Sequence, residues 1–269
     1  MPKIIFTKMA ASGNDFVLIE GNKLRVANYK SLAKNICDRK FGAGADGLLV
    51  LEKSKKADLR MRIFNADGSE AEMCGNGARC AALYKTQGAR HKTQVNIETK
   101  AGIIEAQVKA GNVKIKLTDP KGMRLSIPLK INNRILHAGF IDTGVPQAVV
   151  FTQGLDNIDV ENLGRQIRFH REFSPRGTNV NFVEFSGGDS IRIRTYERGV
   201  EGETLACGTG SAASALLTTY CLRLASNNIN VLTRSGETLR VYFKRCGDRF
   251  QDVWLEGRVG IVYKGVYNV

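Results

Sequence analysis

Apolar and polar residues alternate with a period of two along most of this chain, in short runs broken by glycine, asparagine and aspartate. Residues 3–8, 16–20, 48–52, 58–65, 94–99, 102–109 and 113–117 form a first set of such runs. A second set occupies 135–142, 147–151, 181–185, 191–196, 229–233, 238–244 and 253–256. Alternation combined with β-branched residues predicts strands. Four segments predict helices instead. Residues 28–38 place Leu32 and Ile36 one turn apart, 76–86 and 209–223 are rich in Ala, Leu and Ser and begin just after a glycine, and 161–168 is the fourth. Many strands and few helices make this a sheet-dominated α/β (α+β) chain.

The two sets of strands carry one repeated segment. R-M-R-I-F-N-A-D-G-S-E-A-E-M-C-G-N-G-A-R-C-A-A runs from Arg60 to Ala82, and I-R-I-R-T-Y-E-R-G-V-E-G-E-T-L-A-C-G-T-G-S-A-A from Ile191 to Ala213. Each reads as a strand, an acidic loop containing glycine, Cys-Gly-x-Gly, and a small-residue helix. Cys74 and Cys207 stand 133 residues apart, about half the chain. A weaker echo pairs Gly13-Asn14-Asp15-Phe16-Val17 with Thr178-Asn179-Val180-Asn181-Phe182-Val183. A repeat this long predicts two homologous domains related by a pseudo-two-fold. Their boundary is expected at the turn-like Asp119-Pro120-Lys121-Gly122, giving residues 1–119 with Cys74 and 120–259 with Cys207.

Cys-Gly-x-Gly at a helix start has a physical consequence. The first helical N–H groups have no partner within the helix and sit at the positive end of its dipole. They form an anion site to which the glycines allow close approach. A cysteine there is expected to have its thiolate favoured, its pKa falling from about 8.5 toward neutrality. One such motif alone fits phosphate as well as carboxylate. Two, facing each other across a cleft, suit inversion of a stereocentre, which needs a base on one face of a carbon and an acid on the other. The charge developing on a substrate carboxylate would be stabilised by the helix ends. No lysine stands in a recognisable Schiff-base context, the mark of pyridoxal phosphate.

A cysteine on a small-residue helix is ordinarily a packing residue, and Cys37, Cys80, Cys221 and Cys246 are read so; the matched context reverses that reading for Cys74 and Cys207. Glu197-Arg198 at a strand end reads either as a surface ion pair or, at a cleft mouth, as a holder of an ammonium and a distal carboxylate. Asn14, Asn65, Asn76 and Asn179 all neighbour turn glycines or loop ends. Asparagine is ordinary in turns, but these four gather around the repeated motifs.

Composition changes this picture little. A formal charge of +14 raises nucleic-acid binding, but the basic residues are scattered. The densest patches, 53–62 and 90–92, lack interleaved aromatics. The charge is read as a solvated surface that attracts anionic metabolites. No run of about 18 apolar residues occurs, so no membrane span is expected, and nothing at the N-terminus resembles a signal peptide. The chain is read as cytoplasmic, with six reduced cysteines. No C-x-x-C pair occurs, and His91, His137 and His170 are far apart, so metal-ligand spacing is absent.

The residues resemble the diaminopimelate epimerase family. The resemblance is carried by S-G-N-D-F-V (12–17), F-G-A-G-A-D-G (41–47), F-N-A-D-G-S-E-A-E-M-C-G-N-G-A-R-C (64–80), P-R-G-T-N-V-N-F-V (175–183) and Y-E-R-G-V-E-G-E-T-L-A-C-G-T-G (196–210), and it spans essentially the whole chain in order. It implies two similar domains, each a β-barrel-like sheet around a central helix, with residues 260–269 returning to the first. It implies interconversion of LL- and meso-diaminopimelate, on the route to lysine and peptidoglycan, in a homodimer with no metal or organic cofactor. Cys74 and Cys207 would be the acid–base pair. Asn14, Asn65, Asn179 and Arg198 would contact substrate. Gly75-Asn76 and Gly208-Thr209 would hold its α-carboxylate, and Glu197 would sit behind a cysteine and tune its ionisation. Two positions depart from the family pattern. Gln147 stands where many members carry a histidine, and Gly47 where some carry a substrate-contacting glutamine. Alternatives are another two-cysteine racemase of the fold (histidine, proline or hydroxyproline type), a phenazine-pathway-like isomerase, and a non-catalytic binding module. Both intact thiols argue against the last two.

Overall fold

The computed structural model describes residues 3–21, 28–87 and 93–268; the basic patch at 90–92, His91 included, lies outside them. The chain folds as two compact units, Met1–Ile115 with Gly257–Val269, and Lys116–Glu256. In order, the strands and helices are β1 (Lys3–Ala11), β2 (Asn14–Glu20), α1 (Tyr29–Ile36), β3 (Gly47–Glu52), β4 (Leu59–Asn65), β5 (Glu70–Ala71), α2 (Gly75–Lys85), β6 (Thr93–Thr99), β7 (Gly102–Lys109), β8 (Asn112–Lys116), β9 (Lys121–Ile131), β10 (Arg134–Asp142), β11 (Pro146–Phe151), α3 (Val160–Arg168), β12 (Asn179–Gly187), β13 (Ser190–Glu197), β14 (Gly202–Thr204), α4 (Gly208–Cys221), β15 (Asn228–Leu232), β16 (Thr238–Cys246), β17 (Arg249–Arg258) and β18 (Gly260–Asn268).

In the first unit the strand order is β18-β1-β2-β3-β4-β6-β7-β8, with β5 hairpinned on β4. Every pair is antiparallel except β2–β3 and β4–β6. The second unit repeats this as β9-β10-β11-β12-β13-β15-β16-β17, with β14 on β13 and parallel pairs at β11–β12 and β13–β15. Each parallel step needs a crossover, and the four helices supply them. The inner helix α2 packs on β1, β2, β3, β4, β6 and β7, and α4 on β10, β11, β12, β13, β15 and β16. A helix touched by six strands is enclosed, which is why most of its residues are small, with Arg79 of α2 the charged exception. Residues 76–82 of α2 and 210–219 of α4 are buried without a break.

The outer helices α1 and α3 cover the other sheet face. Leu32, Ala33 and Ile36 of α1 pack with Val17, Ile19, Leu48, Val50 and Phe64. In the second unit Val160 and Ile167 of α3 join Ala148, Val150, Val180, Phe182 and Tyr196. The central strands are thus buried on both faces, and G-L-L-V-L in β3 is a continuous apolar run rather than an alternating one. The sheet-dominated α+β architecture agrees with the sequence reading, but β9 was not expected. Only Ile127, Leu129 and Ile131 in it are buried, and Pro128, opposite His137, obscures the alternation.

Because the two units share a pairing pattern, their registers can be superposed strand by strand. Leu49 faces Leu18 and Ile63, as Asn181 faces Val149 and Thr195. Ile63 and Thr195 in turn pair with Ala71 and Thr204, each three residues before its cysteine. Phe16 therefore corresponds to Gln147, Gly47 to Asn179, and Asn65 to Glu197. This corrects the weaker sequence echo. Asn14 opens β2 and Asn179 opens β12, but the counterpart of β12 is β3, so the two Asn-containing segments are not equivalent. Their likeness reflects a shared need for an amide at a strand start.

Candidate active site

Cys74 and Cys207 are the N-cap residues of α2 and α4. Both have extended backbone (φ −142° and −122°), and each Sγ accepts a hydrogen bond from the N–H three residues on: Gly77 at 3.5 Å and Gly210 at 3.4 Å. A thiol here does what serine does in an ordinary cap, so each sulfur lies at the positive end of an enclosed helix. The glycines leave room for side chains packed close against them. A Cβ on Gly77 would stand 3.0 Å from Leu49 Cδ2, and one on Gly208 2.7 Å from Leu255 Cδ2.

The loops entering both caps are clamped alike. Arg62 on β4 binds Glu70 (2.8 Å), which also takes Lys100 (2.7 Å). Arg194 on β13 binds Glu203 (2.7 Å), which also takes Arg234 (2.9 Å). Glu70 is held well down, at about 2, the Arg62 guanidinium being the main cause.

In the first unit, Asn14 and Asn76 come together. Asn76 Nδ2 donates to Asn14 Oδ1 (2.7 Å), and Asn14 Nδ2 donates to Asp46 (3.0 Å). Fully buried Arg79 donates to Asn76 Oδ1 and to Ser12 Oγ (2.7 Å). The guanidinium only donates, so it fixes which way the Asn76 amide faces. Asn65, exposed at the end of β4, donates to Ser69 Oγ at 2.9 Å. Gly47 is buried at the start of β3, where a Cβ would meet the Phe64 carbonyl oxygen at 2.9 Å; it is a packing position here.

In the second unit, Asn179 accepts from the Arg198 N–H (2.7 Å), and the Arg198 guanidinium donates to the Arg176 carbonyl (3.1 Å). Cys207 is buried and lies 3.5 Å from Thr209 Oγ1. Gln147, with no exposed surface, donates to Thr209 Oγ1 (3.0 Å). Burial, together with the Glu197 carboxylate, pushes the Cys207 thiol up to about 12, against bonds from Thr209 and Gly210 that favour the thiolate. Glu197 is itself raised by burial. The sequence expectation of a thiol lowered toward neutrality is therefore overturned for Cys207. Enclosure outweighs the helix end.

Two other expectations need correcting. Cys37 and Cys80 are buried packing residues as read, but Cys221 and Cys246 are exposed. The first is the last residue of α4 and the second ends β16, beyond the buried parts of both elements. Sequence reasoning also passed over Arg79, Asn181 and Thr195. Their signal was a charged or amide side chain inside an otherwise apolar or small-residue element. Among the described residues no cluster of three or more His, Cys, Asp or Glu could hold a metal ion, and no helix is long and apolar enough to cross a membrane.

Two equivalent thiol-capped helices on one internal repeat are specific enough to seek relatives. The profile of the diaminopimelate epimerase family matches residues 6–121 and 139–247. The chain belongs to the diaminopimelate epimerase family. Among curated members it is 42% identical to the diaminopimelate epimerase of Hydrogenobaculum sp., over 98% of this chain and 99% of that one. It is 45% identical to that of Archaeoglobus fulgidus, over 87% and 88%. The fold reaches further than the sequence. A Bacillus anthracis phenazine biosynthesis protein of the PhzF family shares it with a TM-score of 0.76 over the full length of both chains, at 18% identity. Diaminopimelate epimerases are isomerases, and the chain is a member of that enzyme family.

Proposed function

We propose that this chain interconverts LL- and meso-2,6-diaminopimelate by moving the α-proton between Cys74 and Cys207, with no metal or organic cofactor. The observation that carries the reading is the identical capping of two equivalent enclosed helices by a thiol, in a member of this family. One thiolate takes the α-hydrogen as a proton. The electron pair of the broken C–H bond passes onto the α-carbon and its carboxylate. The other thiol delivers a proton to the opposite face. The first-turn amides at Gly75-Asn76 and Gly208-Thr209 hold the carboxylate, where they stabilise the developing negative charge. Asn14, Asn65, Asn179 and Arg198 hold the remaining polar groups of the substrate, Arg198 binding the distal carboxylate.

Burial and the Glu197 charge favour the protonated form of Cys207. Cys207 therefore enters the cycle as the acid in one direction and the roles exchange in the other. We place the reaction in the cytoplasm, on the route to lysine and peptidoglycan, and the enzyme as a homodimer that binds neither nucleic acid nor membrane. The test is incubation of the reduced protein with LL-diaminopimelate in D₂O without pyridoxal phosphate. Deuterated meso product is expected. No exchange with this substrate, alongside exchange into proline or histidine, would transfer the substrate assignment to a racemase of the same fold.

A further inference from the structure

Beneath α4 lies a buried polar assembly on strand positions whose equivalents in the first unit are apolar. Gln147 (β11), Asn181 (β12) and Thr195 (β13) are all fully or almost fully buried. Their bonds can be assigned without ambiguity because one end is a backbone carbonyl, which only accepts. The Asn181 atom 3.1 Å from Ala148 O must be Nδ2. The same Nδ2 lies 2.9 Å from Gln147, so that Gln147 atom is Oε1. Asn181 Oδ1 then accepts from Thr195 Oγ1 at 2.9 Å. With its oxygen committed, Gln147 turns Nε2 toward Thr209 Oγ1, 3.0 Å away, and an amide nitrogen only donates. Thr209 has thus accepted one bond and has its own hydrogen to give. The acceptor within reach is Cys207 Sγ, at 3.5 Å.

We propose that Gln147 is a positioning residue for Cys207: with Asn181 and Thr195 it fixes the Thr209 hydroxyl as a donor to the Cys207 sulfur. The proposal rests on the reading of Cys207 as an acid–base group. Gln147 does not titrate, so this device keeps one polarity at every working pH. The charged group acting on Cys207 is Glu197, whose field opposes the thiolate; Thr209 and the Gly210 N–H act the other way. A thiolate formed during turnover is received by two donors already aimed at it, without rearrangement of the surroundings. On the equivalent strand sites of the first unit stand Phe16, Leu49 and Ile63.

The experiment is alkylation of the reduced, substrate-free protein by iodoacetamide across pH, with Cys74 and Cys207 followed separately by peptide mass spectrometry. Gln147→Met keeps volume and leaves Asn181 bonded to Ala148, so folding is expected to survive, and Cys74 in the same molecule reports it. Gln147→Met and Thr209→Val are each expected to slow Cys207 alkylation about tenfold throughout the pH range below its ionisation midpoint. Cys74 should be unchanged, and Thr209→Ser, which restores the hydroxyl, should behave as the parent. Equal slowing of both cysteines, or a parental Cys207 in Gln147→Met or Thr209→Val, would overturn the proposal. The readout needs no amino acid, so a wrong substrate assignment fails separately, in the D₂O experiment. As a second readout, the alkaline limb of the kcat/KM profile should move up in Gln147→Met, whereas a merely structural loss would lower the whole profile without moving it.

Discussion

The two units of this chain share a fold, a strand order and a thiol-capped inner helix, yet they differ under that helix. In the first, Gly77 rests on Leu49 and Ile63; in the second, Gly210 rests on Asn181. Phe16, Leu49 and Ile63 make the floor hydrocarbon, whereas Gln147, Asn181 and Thr195 make it a hydrogen-bonded amide and hydroxyl cluster. At the strand ends, Asn65 stands where the other unit has Glu197. The difference teaches that the repeat preserves the device that presents a thiol, and that the surroundings that set each thiol's proton affinity vary independently. In the proposed two-thiol reaction such a difference would be useful, since an acid and a base must differ in protonation at any moment.

The largest test of complementarity removes each thiol. Cys74→Ala and Cys207→Ala are each expected to lower epimerisation by about 10³-fold or more, in both directions. The exchange of α-hydrogen for deuterium by each variant sharpens the comparison. One that still exchanges without inverting has kept its base and lost its acid. Either variant turning over near the parental rate would remove the two-thiol mechanism.

Exchanging the floors comes next. Leu49→Asn places an amide among apolar side chains and removes packing beneath Gly77, at a cost of about 3 kcal/mol. Asn181→Leu leaves Gln147 Oε1 and Thr195 Oγ1 without partners, at a cost of about 2 kcal/mol. Urea unfolding measures both. The alkylation of Cys207 should change in Asn181→Leu and not in Leu49→Asn. If the two floors were interchangeable, both variants would be mild and neither thiol would respond.

Glu197→Gln addresses the strand ends. It removes a negative charge that opposes the Cys207 thiolate, so the ionisation midpoint of Cys207 should fall, read by the same alkylation profile. Stability carries the same information. The folded-state value for Cys207 is raised, from 9.0 to about 12. The contribution is therefore complete below about pH 9 and is lost as pH rises toward 12. The stability difference between parent and Cys207→Ser should shrink across that window. A difference independent of pH would mean that the buried thiol is not the titrating group.

Much of this was legible in the sequence, for identifiable reasons. Strands announced themselves where one face is polar, and the inner helices where small residues follow Cys-Gly-x-Gly, because enclosure by six strands favours small side chains over most of the helix surface. The two cysteines stood out through their matched contexts. The floor of the second unit did not. Asn181 lies in the quoted N-V-N-F-V, but an asparagine in a strand reads as a turn neighbour until the strand's two faces are known. The ionisation of Cys207 was misread because a helix end is visible in sequence and burial is not. β9 was hidden by Pro128 and by the polar residues on its outer face.

The smallest expected effect tests what the units have in common. Glu70 and Glu203 occupy equivalent sites, each tied to an arginine on the neighbouring strand and to a second cation beyond. Both carboxyls are held below their ordinary value. For Glu203 burial is the largest influence and raises it, but Arg194 and Arg234 together outweigh it. Stability from a lowered carboxylate is present above its unfolded value and lost as pH falls through the folded one. For Glu70 that window runs from 4.5 down to about 2. Glu70→Gln and Glu203→Gln should each cost about 1 kcal/mol at pH 7 in urea unfolding, with the loss fading as pH falls through the folded value of each carboxyl. If the clamps are one device used twice, the two losses should match within error and neither should alter Cys207 alkylation. Unequal losses would place the clamp among the features that diverged, alongside the floors.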